Sequence, residues 1–303
     1  MFMVITALTN EHLAELLELC QVSMPSEHWT LAALAQRGIN GPPGATQWSL
    51  ALWQTGKLIG ALIGGVRTAK QPATAHINLL AIHPKQQRRG YATQLLHAFE
   101  DHARHAQLTR LRVGGGAPGY LWPGLDPQRY TTAYCFWLRH GFVRSGETCN
   151  LHVDLSSNTW TCDVAEESLR SAGWFIRRLE PRDRAQFARW LQATWGAGWT
   201  WEGLASYMNT PISTFVALQN ETIKGFASYG VSGFDPTFGP TGVTTEARGH
   251  GLGTILLYRC LADIRKLGYQ QAEIGWVGPV AFYHHAANAT IGRIYWFLEK
   301  NLL

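Results

Sequence analysis

Arg248-Gly249-His250-Gly251-Leu252-Gly253-Thr254 is the stretch of this 303-residue chain whose residue types and spacing bear most directly on chemistry. Three glycines in five positions remove side chains where the chain turns, so several backbone N–H groups can converge on one small space. Ile255 to Ile264 follow with apolar residues at helical spacing, which predicts a helix whose N-terminus closes the turn. Convergent amides, the positive end of a helix dipole and the adjacent Arg248 and His250 favour an anion, a phosphate or pyrophosphate. The spacing is Arg-x-x-Gly-x-Gly, which is neither the dinucleotide Gly-x-Gly-x-x-Gly nor a P-loop.

The pattern occurs twice. Gln87-Arg88-Arg89-Gly90-Tyr91-Ala92-Thr93 repeats it as Gln-x-x-Gly-x-Ala, after the apolar run Ile77 to Ile82 and before Gln94 to Phe99. A shift of 161 carries Gly90 onto Gly251, and the same shift carries Ile82 onto Val243, Leu95 onto Leu256 and Val113 onto Ile274 without a gap. A strand, glycine turn, helix and following strand are therefore present as two copies.

Both segments resemble the acetyl-CoA-binding motif of the GCN5-related N-acetyltransferase (GNAT) superfamily, Gln/Arg-x-x-Gly-x-Gly/Ala between a central strand and a helix. Each copy is followed by a strand and an aromatic pair, Phe136-Trp137 and Phe282-Tyr283, so the resemblance covers nearly the whole chain as a tandem protein. It implies acetyl-CoA as co-substrate. The pyrophosphate would be held by Arg248, Gly249, His250, Gly251, Leu252, Gly253 and Thr254 with Val243 at the strand end, and in the first copy by Gln87, Arg88, Arg89, Gly90, Tyr91, Ala92 and Thr93 with Ile82. It also implies that the pantetheine arm pairs with the end of the preceding strand and that the acceptor amine attacks the thioester directly.

The superfamily often uses a tyrosine of the next helix as the acid that protonates the departing thiolate, and Tyr283 holds that position in the second copy. In the first copy the position is Trp137, which has no useful proton to give, and Tyr134 lies one turn earlier. For the base, the second copy offers Glu273 on the strand after the loop helix and Asp235 before the motif strand; the choice stays open. His83, His284 and His285 show no metal-ligand spacing, and no metal is expected.

The elements that must position these residues read in the same order twice. Val4 to Ala7 is strand-like, a helix runs from Leu13, and Leu31 to Arg37 is a second helix. Trp48–Trp53 and Leu58–Ile63 flank a hairpin turn, and the motif strand, loop, helix and next strand follow. Ala133 to Phe142 is a short helix stopped by glycine, and Cys149 to Leu155 a final strand. The second round has a strand from Phe175, a helix from Ala185 to Ala193, a hairpin around Asn220-Glu221 and a closing strand from Ile291 to Phe297. The expected fold class is α/β with a mixed sheet, as two tandem GNAT-like domains at 1–156 and 174–303 joined by a polar linker at 157–173. Between strand and aromatic pair the first copy is 15 residues longer than the second, and this Gly/Trp/Pro insertion is placed to shape an acceptor site.

Bulk composition excludes several classes. The hydrophobic share of 46% and charged share of 16% are those of a folded domain, and no apolar run is long enough for a bilayer span. The start lacks a signal-peptide pattern, which makes the cytoplasm the expected location. Five cysteines without a Cys-x-x-Cys pair suggest neither a disulfide framework nor zinc. A net charge of +5 fits an anionic co-substrate, and no basic block of the nucleic-acid-binding kind is present. Of the 13 tryptophans, Trp190, Trp195, Trp199 and Trp201 crowd one stretch, mostly as core with a minority available to an acceptor pocket. The leading function is acetyl transfer to a primary amine of a small molecule or peptide by the second domain. The alternatives are a non-catalytic acyl-CoA sensor and transfer of another acyl group, including aminoacyl transfer from tRNA.

Overall fold

The computed structural model describes residues 3–67, 74–116, 120–234 and 236–302. The chain begins β1 (Met3–Ala7), α1 (Leu13–Ser23), α2 (Leu31–Ala33, continued by wider turns over Leu34–Asn40), β2 (Ala45–Gln47), β3 (Leu50–Gln54) and β4 (Lys57–Arg67). It continues β5 (Thr74–Ile82), α3 (Tyr91–His105), β6 (Arg110–Val113), α4 (Thr131–Arg139) and β7 (Val143–Asp154). The second round is α5 (Asp163–Ser171), β8 (Trp174–Arg178), α6 (Arg184–Thr194), α7 (Ala197–Ala205), β9 (Thr214–Gln219) and β10 (Thr222–Tyr229). It closes with β11 (Thr237–Val243), α8 (Leu252–Lys266), β12 (Gln271–Ile274), α9 (Val280–Ala287) and β13 (Thr290–Asn301). The shift of 161 read from the sequence carries α3 onto α8 and β6 onto β12, residue for residue at both ends.

The first unit comprises Met1–Thr148 together with Ile294–Leu303. Its strands pair in the order β1, β3, β4, β5, β6, β13, with β2 on β4. All pairs are antiparallel except β5 with β6. One face is covered by α3 and α4 through Leu95, Leu96, Phe99 and Trp137. The other is covered by α1 through Leu16, Leu19 and Cys20, packed on Ala61, Ile63, Leu79 and Ala81.

The second unit, Cys149–Arg293, repeats the plan with strand order β8, β9, β10, β11, β12, β7, in which only β11 and β12 are parallel. Helices α5, α8 and α9 bury Leu169, Leu256, Leu257 and Tyr283 on one face. The opposite face carries Phe187, Leu191 and Phe226, with Trp190, Trp195 and Trp199 packed around them. These tryptophans are half-buried.

The units differ from the division expected from sequence. Segment 157–173 is part of the second unit, where α5 puts Leu169 into the core beside Trp160 and Cys162. Arg259 also binds Glu166 of this helix through both Nε and Nη2. The polar surface of α5 resembles a linker in sequence because it turns so few apolar residues inward. The last strand, in turn, pairs with β6: Leu298 opposite Val113 and Asn301 opposite Arg110. Among the described residues, no helix is long and apolar enough to cross a membrane.

Candidate active site

Each motif loop is a left-handed turn capped by its glycine. Gly90 and Gly251 have φ of 82° and 78° and stand immediately before α3 and α8. A Cβ at Gly90, Gly249 or Gly251 would meet nothing within 4 Å, so the loop mouths are open. The helical ladder of α8 starts when Thr254 and Ile255 donate to the Gly251 carbonyl. The N–H groups of Gly249, His250, Gly251, Leu252 and Gly253 pair with no protein acceptor among the described residues, and those of Arg88 through Ala92 are likewise unpaired. Five successive unpaired donors at a helix end are an arrangement that suits an anion.

The side chains of the loops have different duties. Gln87 Nε2 donates to the Ile82 carbonyl at 3.2 Å, and Arg248 Nε donates to the Val243 carbonyl at 3.4 Å. Tyr91 packs on the first unit's core, and Leu252 is buried in that of the second. Thr93 Oγ1 meets His140 Nε2 at 3.1 Å. His250 turns back on its own loop, with Nδ1 3.1 Å from the Arg248 carbonyl and its ring 5.2 Å from that of Trp174. Ala92, Gly253 and Thr254 are half-buried in the first turns of their helices. In the first loop Lys85, Arg88 and Arg89 are exposed and no carboxylate pairs with them among the described residues. In the second loop Arg248 is exposed, and Lys224 is neutralised by Glu246 at 3.2 Å.

Behind each loop the sheet opens. β5 and β6 are in register only from Thr74–Arg110 to Ile77–Val113, although β5 runs on to Ile82. β11 and β12 are paired only at Thr237–Glu273 and Phe238–Ile274, although β11 runs on to Val243. A bulge marks the opening at matched places, Asn78 on β5 and Gly239-Pro240 on β11. His83 N–H bonds Ile59 on the β4 side, and Thr244 N–H bonds Lys224 on the β10 side. Strand groups alternate sides, so Leu80, Ile82, Thr241 and Val243 aim theirs into the opening. An extended amide-bearing chain can pair there as an added strand.

Tyr283 on α9 lies beside this opening in the second unit. Its ring packs edge-on against Phe238 of β11 and Phe282, and Phe282 touches the start of α8 at Gly253. Its hydroxyl has no protein hydrogen-bond partner among the described residues, and burial pushes its pKa above the ordinary phenol range. Trp137 is buried against Phe142 at the corresponding place, and Tyr134 packs edge-on against Trp296.

On the opposite face of the second unit, Gly242 leaves room for Trp195: a Cβ there would lie 2.6 Å from the indole. Trp199 stacks on Trp195 at 5.4 Å. Glu273 is on this face as well, bonded by Asn150 Nδ2 at 2.9 Å and 3.6 Å from His152 Nε2. Asn150 and His152 were missed in the sequence because their contacts with Glu273 depend on β7 lying next to β12. Asp235 lies outside the described residues. His284 Nδ1 is 3.2 Å from the Ala289 carbonyl, and His83 Nδ1 accepts from the Lys85 N–H. In the first unit the insertion reaches the α1–α2 segment, where Tyr130 donates to Glu27 at 2.6 Å and Trp122 meets Trp29 edge-on.

The model of the acetyltransferase (GNAT) family matches residues 10–117 and again 181–288. No curated protein sequence matches the chain significantly. Among solved structures, the GCN5-related glucosamine N-acetyltransferase region of a fungal multi-domain β-N-acetylglucosaminidase matches 99% of this chain with a TM-score of 0.73 and 16% identity, and the match spans only 38% of that protein's chain. A tandem GNAT protein from the clavulanic acid biosynthesis pathway matches 100% of this chain and 99% of its own, with TM-score 0.70 and 16% identity. A GNAT protein from Sphaerobacter thermophilus follows at 0.64 and 12% identity, over 99% of this chain and 96% of its own. With two family matches that together span most of its length, each laid over one copy of the splayed strand and glycine loop, the chain belongs to the acetyltransferase (GNAT) family as a tandem protein.

Proposed function

We propose that this protein moves an acetyl group from acetyl-CoA to a primary amine of a small molecule or peptide, and that the second unit does so. One coincidence carries the reading: among the described residues, the second unit joins the unpaired loop amides and the open strand edge to a buried tyrosine whose hydroxyl has no protein partner, where the first unit has Trp137. Acetyl-CoA, when bound, supplies the activated acetyl thioester. Gly249 to Gly253 and Arg248 hold its phosphates, and the backbone of Thr241 and Val243 lines the pantetheine arm. Tyr283, kept neutral by burial, holds a proton for the departing sulfur. The acceptor enters from the face of Trp195 and Trp199 and takes the acetyl group directly. A cytoplasmic location belongs to the same proposal.

Calorimetric titration with acetyl-CoA tests it, with Gly251→Trp or Gly90→Trp blocking one loop at a time. Turnover of a primary amine, with glucosamine as the first tried, should vanish in Gly251→Trp and survive in Gly90→Trp.

A second reading puts the reaction in the first unit. The uncompensated Lys85, Arg88 and Arg89, and the insertion bringing Tyr130 and Trp122 to Glu27 and Trp29, favour it. Loss of turnover only in Gly90→Trp would establish that reading and make Tyr283 a core aromatic.

A further inference from the structure

Glu273 and His152 face each other in register across β12 and β7. Ala272, Ile274, Leu151 and Val153 beside them point into the core under α8 and α9. By alternation the pair lies on the other face, which carries α6, α7 and Trp195. Thr237, opposite Glu273 on β11, is one of the last two residues that hold β11 to β12, so the pair stands at the apex of the opening. The side chains of His152 and Glu273 are 28% and 25% exposed, within reach of a ligand.

Three further contacts fix the pair. Asn150, itself buried, donates to Glu273 Oε1 at 2.9 Å, and its Oδ1 accepts the Trp276 N–H at 2.8 Å. It therefore ties Glu273 to the segment that diverges from β11. Gly292 lies flat against the imidazole, since a Cβ there would come within 2.5 Å of the ring. With Nε2 turned to the carboxylate, Nδ1 is the nitrogen left for an incoming group.

The first unit holds different chemistry at the same place. The shift of 161 carries Arg112 onto Glu273, and Arg112 pairs with Glu299 of β13 in the register by which Glu273 pairs with His152. Arg112 Nε is 3.7 Å from Glu299, and its guanidinium lies over Phe297 at 4.4 Å. An arginine keeps its proton at any working pH, so the position that matches Glu273 holds no group that can take one, and no histidine stands opposite it.

We propose that His152 accepts the proton an acceptor ammonium must lose before it can react, with Glu273 and Asn150 as positioning residues. In the step, one N–H bond of the ammonium breaks and its electron pair stays on the acceptor nitrogen. The proton bonds to Nδ1, the imidazolium is held by Glu273, and the proton leaves afterwards to water. Among the described residues Glu273 is the charged group that pairs with His152; Asp154, next along the same face, is turned to Ser156, and Gly292 of β13 adds no charge. The inference rests on the acyl-transfer reading above.

The test is steady-state transfer from acetyl-CoA to glucosamine, lysine, spermidine and phenethylamine between about pH 5.5 and 9. It is run on the full chain and on His152→Gln, His152→Gly and Glu273→Gln, with calorimetric acetyl-CoA binding beside each. His152→Gln should lose about 100-fold in kcat/KM for the amine together with the acid limb of its pH profile. Acetyl-CoA affinity should stay within twofold, which separates this loss from misfolding. Added imidazole should restore part of the rate of His152→Gly, and Glu273→Gln should fall about tenfold. A His152→Gln protein with wild-type rate and acid limb overturns the proposal while leaving acyl transfer standing. A wild-type chain inactive on all four amines overturns the acyl-transfer reading, and the base with it.

Discussion

Gln87 and Arg248 lie 161 positions apart and end on the same backbone atom of their respective copies, the carbonyl of the last motif-strand residue: Gln87 at 3.2 Å from Ile82 and Arg248 at 3.4 Å from Val243. The first residue of the motif is thus a brace that ties the loop to the strand. Any charge on it comes in addition.

That relationship separates two contributions at Arg248. Arg248→Gln should keep the brace, because glutamine makes it in the first unit, and should lose only screened attraction, a few-fold in acetyl-CoA affinity at low salt. Arg248→Ala should lose the brace too, with a further drop that high salt does not remove. Equal affinities for the two variants would refute the brace.

Tyr283→Phe should lower kcat about 100-fold while leaving acetyl-CoA affinity nearly unchanged. Because the hydroxyl bonds no protein group among the described residues, its removal should leave thermal stability unchanged within about 1 kcal/mol or raise it. Burial keeps the phenol protonated, so Tyr283 should cause no loss of rate below the ordinary tyrosine range near ~10. Unfolding curves and a pH–rate profile of the two proteins check both halves.

Arg88 has φ of 63°, where the second copy has Gly249 at 86°. Holding a side chain there costs about 1 kcal/mol, which a glycine would recover and then lose again to the entropy of the unfolded chain. Arg88→Gly should therefore be close to neutral in urea unfolding. Acetyl-CoA binding by a Gly251→Trp protein, which leaves the first loop intact, should become weaker and less salt-dependent when Arg88→Gly is added.

The second unit should also lose stability in acid through Asp183. Hydrogen bonds from Arg177, at 2.6 and 3.0 Å, hold its carboxyl below the ordinary range, and the Glu180 N–H adds a third. A lowered folded-state pKa gives stability that is fully present above the unfolded value of about 3.9 and is lost as pH falls through the folded one. Asp183→Asn should cost about 2 kcal/mol at neutral pH, a figure reduced because Arg177 is a third exposed, and should flatten the acid limb of stability. An unchanged acid midpoint would count against this clamp.

The repeated core of the fold was legible because its signals are local. Apolar spacing, glycine at a left-handed turn and a gap-free shift of 161 give α3, α8, β6 and β12 without knowledge of any partner. Helix α5 was not legible, since its few inward residues, Leu169 among them, sit in a polar run that reads as a connection. Nor was α7, whose glycines and tryptophans at Ala197–Ala205 lack a helical stripe.

At the candidate site, the glycine turns before α3 and α8 and the place of Tyr283 on the next helix follow from a motif and its spacing. The Asn150–Glu273–His152 contacts do not, because His152 and Glu273 lie 121 positions apart and only the pairing of β7 with β12 brings them together. Gly242 gave no signal either, since its purpose is the indole of Trp195, 47 positions earlier.

The exchange of the final strand reverses the order in which the chain can be finished. When residue 293 leaves the ribosome, the second unit has all its residues while the first still lacks the strand that borders β6. Closing that pair joins residues about 190 positions apart, a slow event for which most of the first unit's sheet must wait with an uncovered edge. A stop codon within β13 would therefore damage the first unit, and residues 1–148 expressed alone would make a sheet without its last strand.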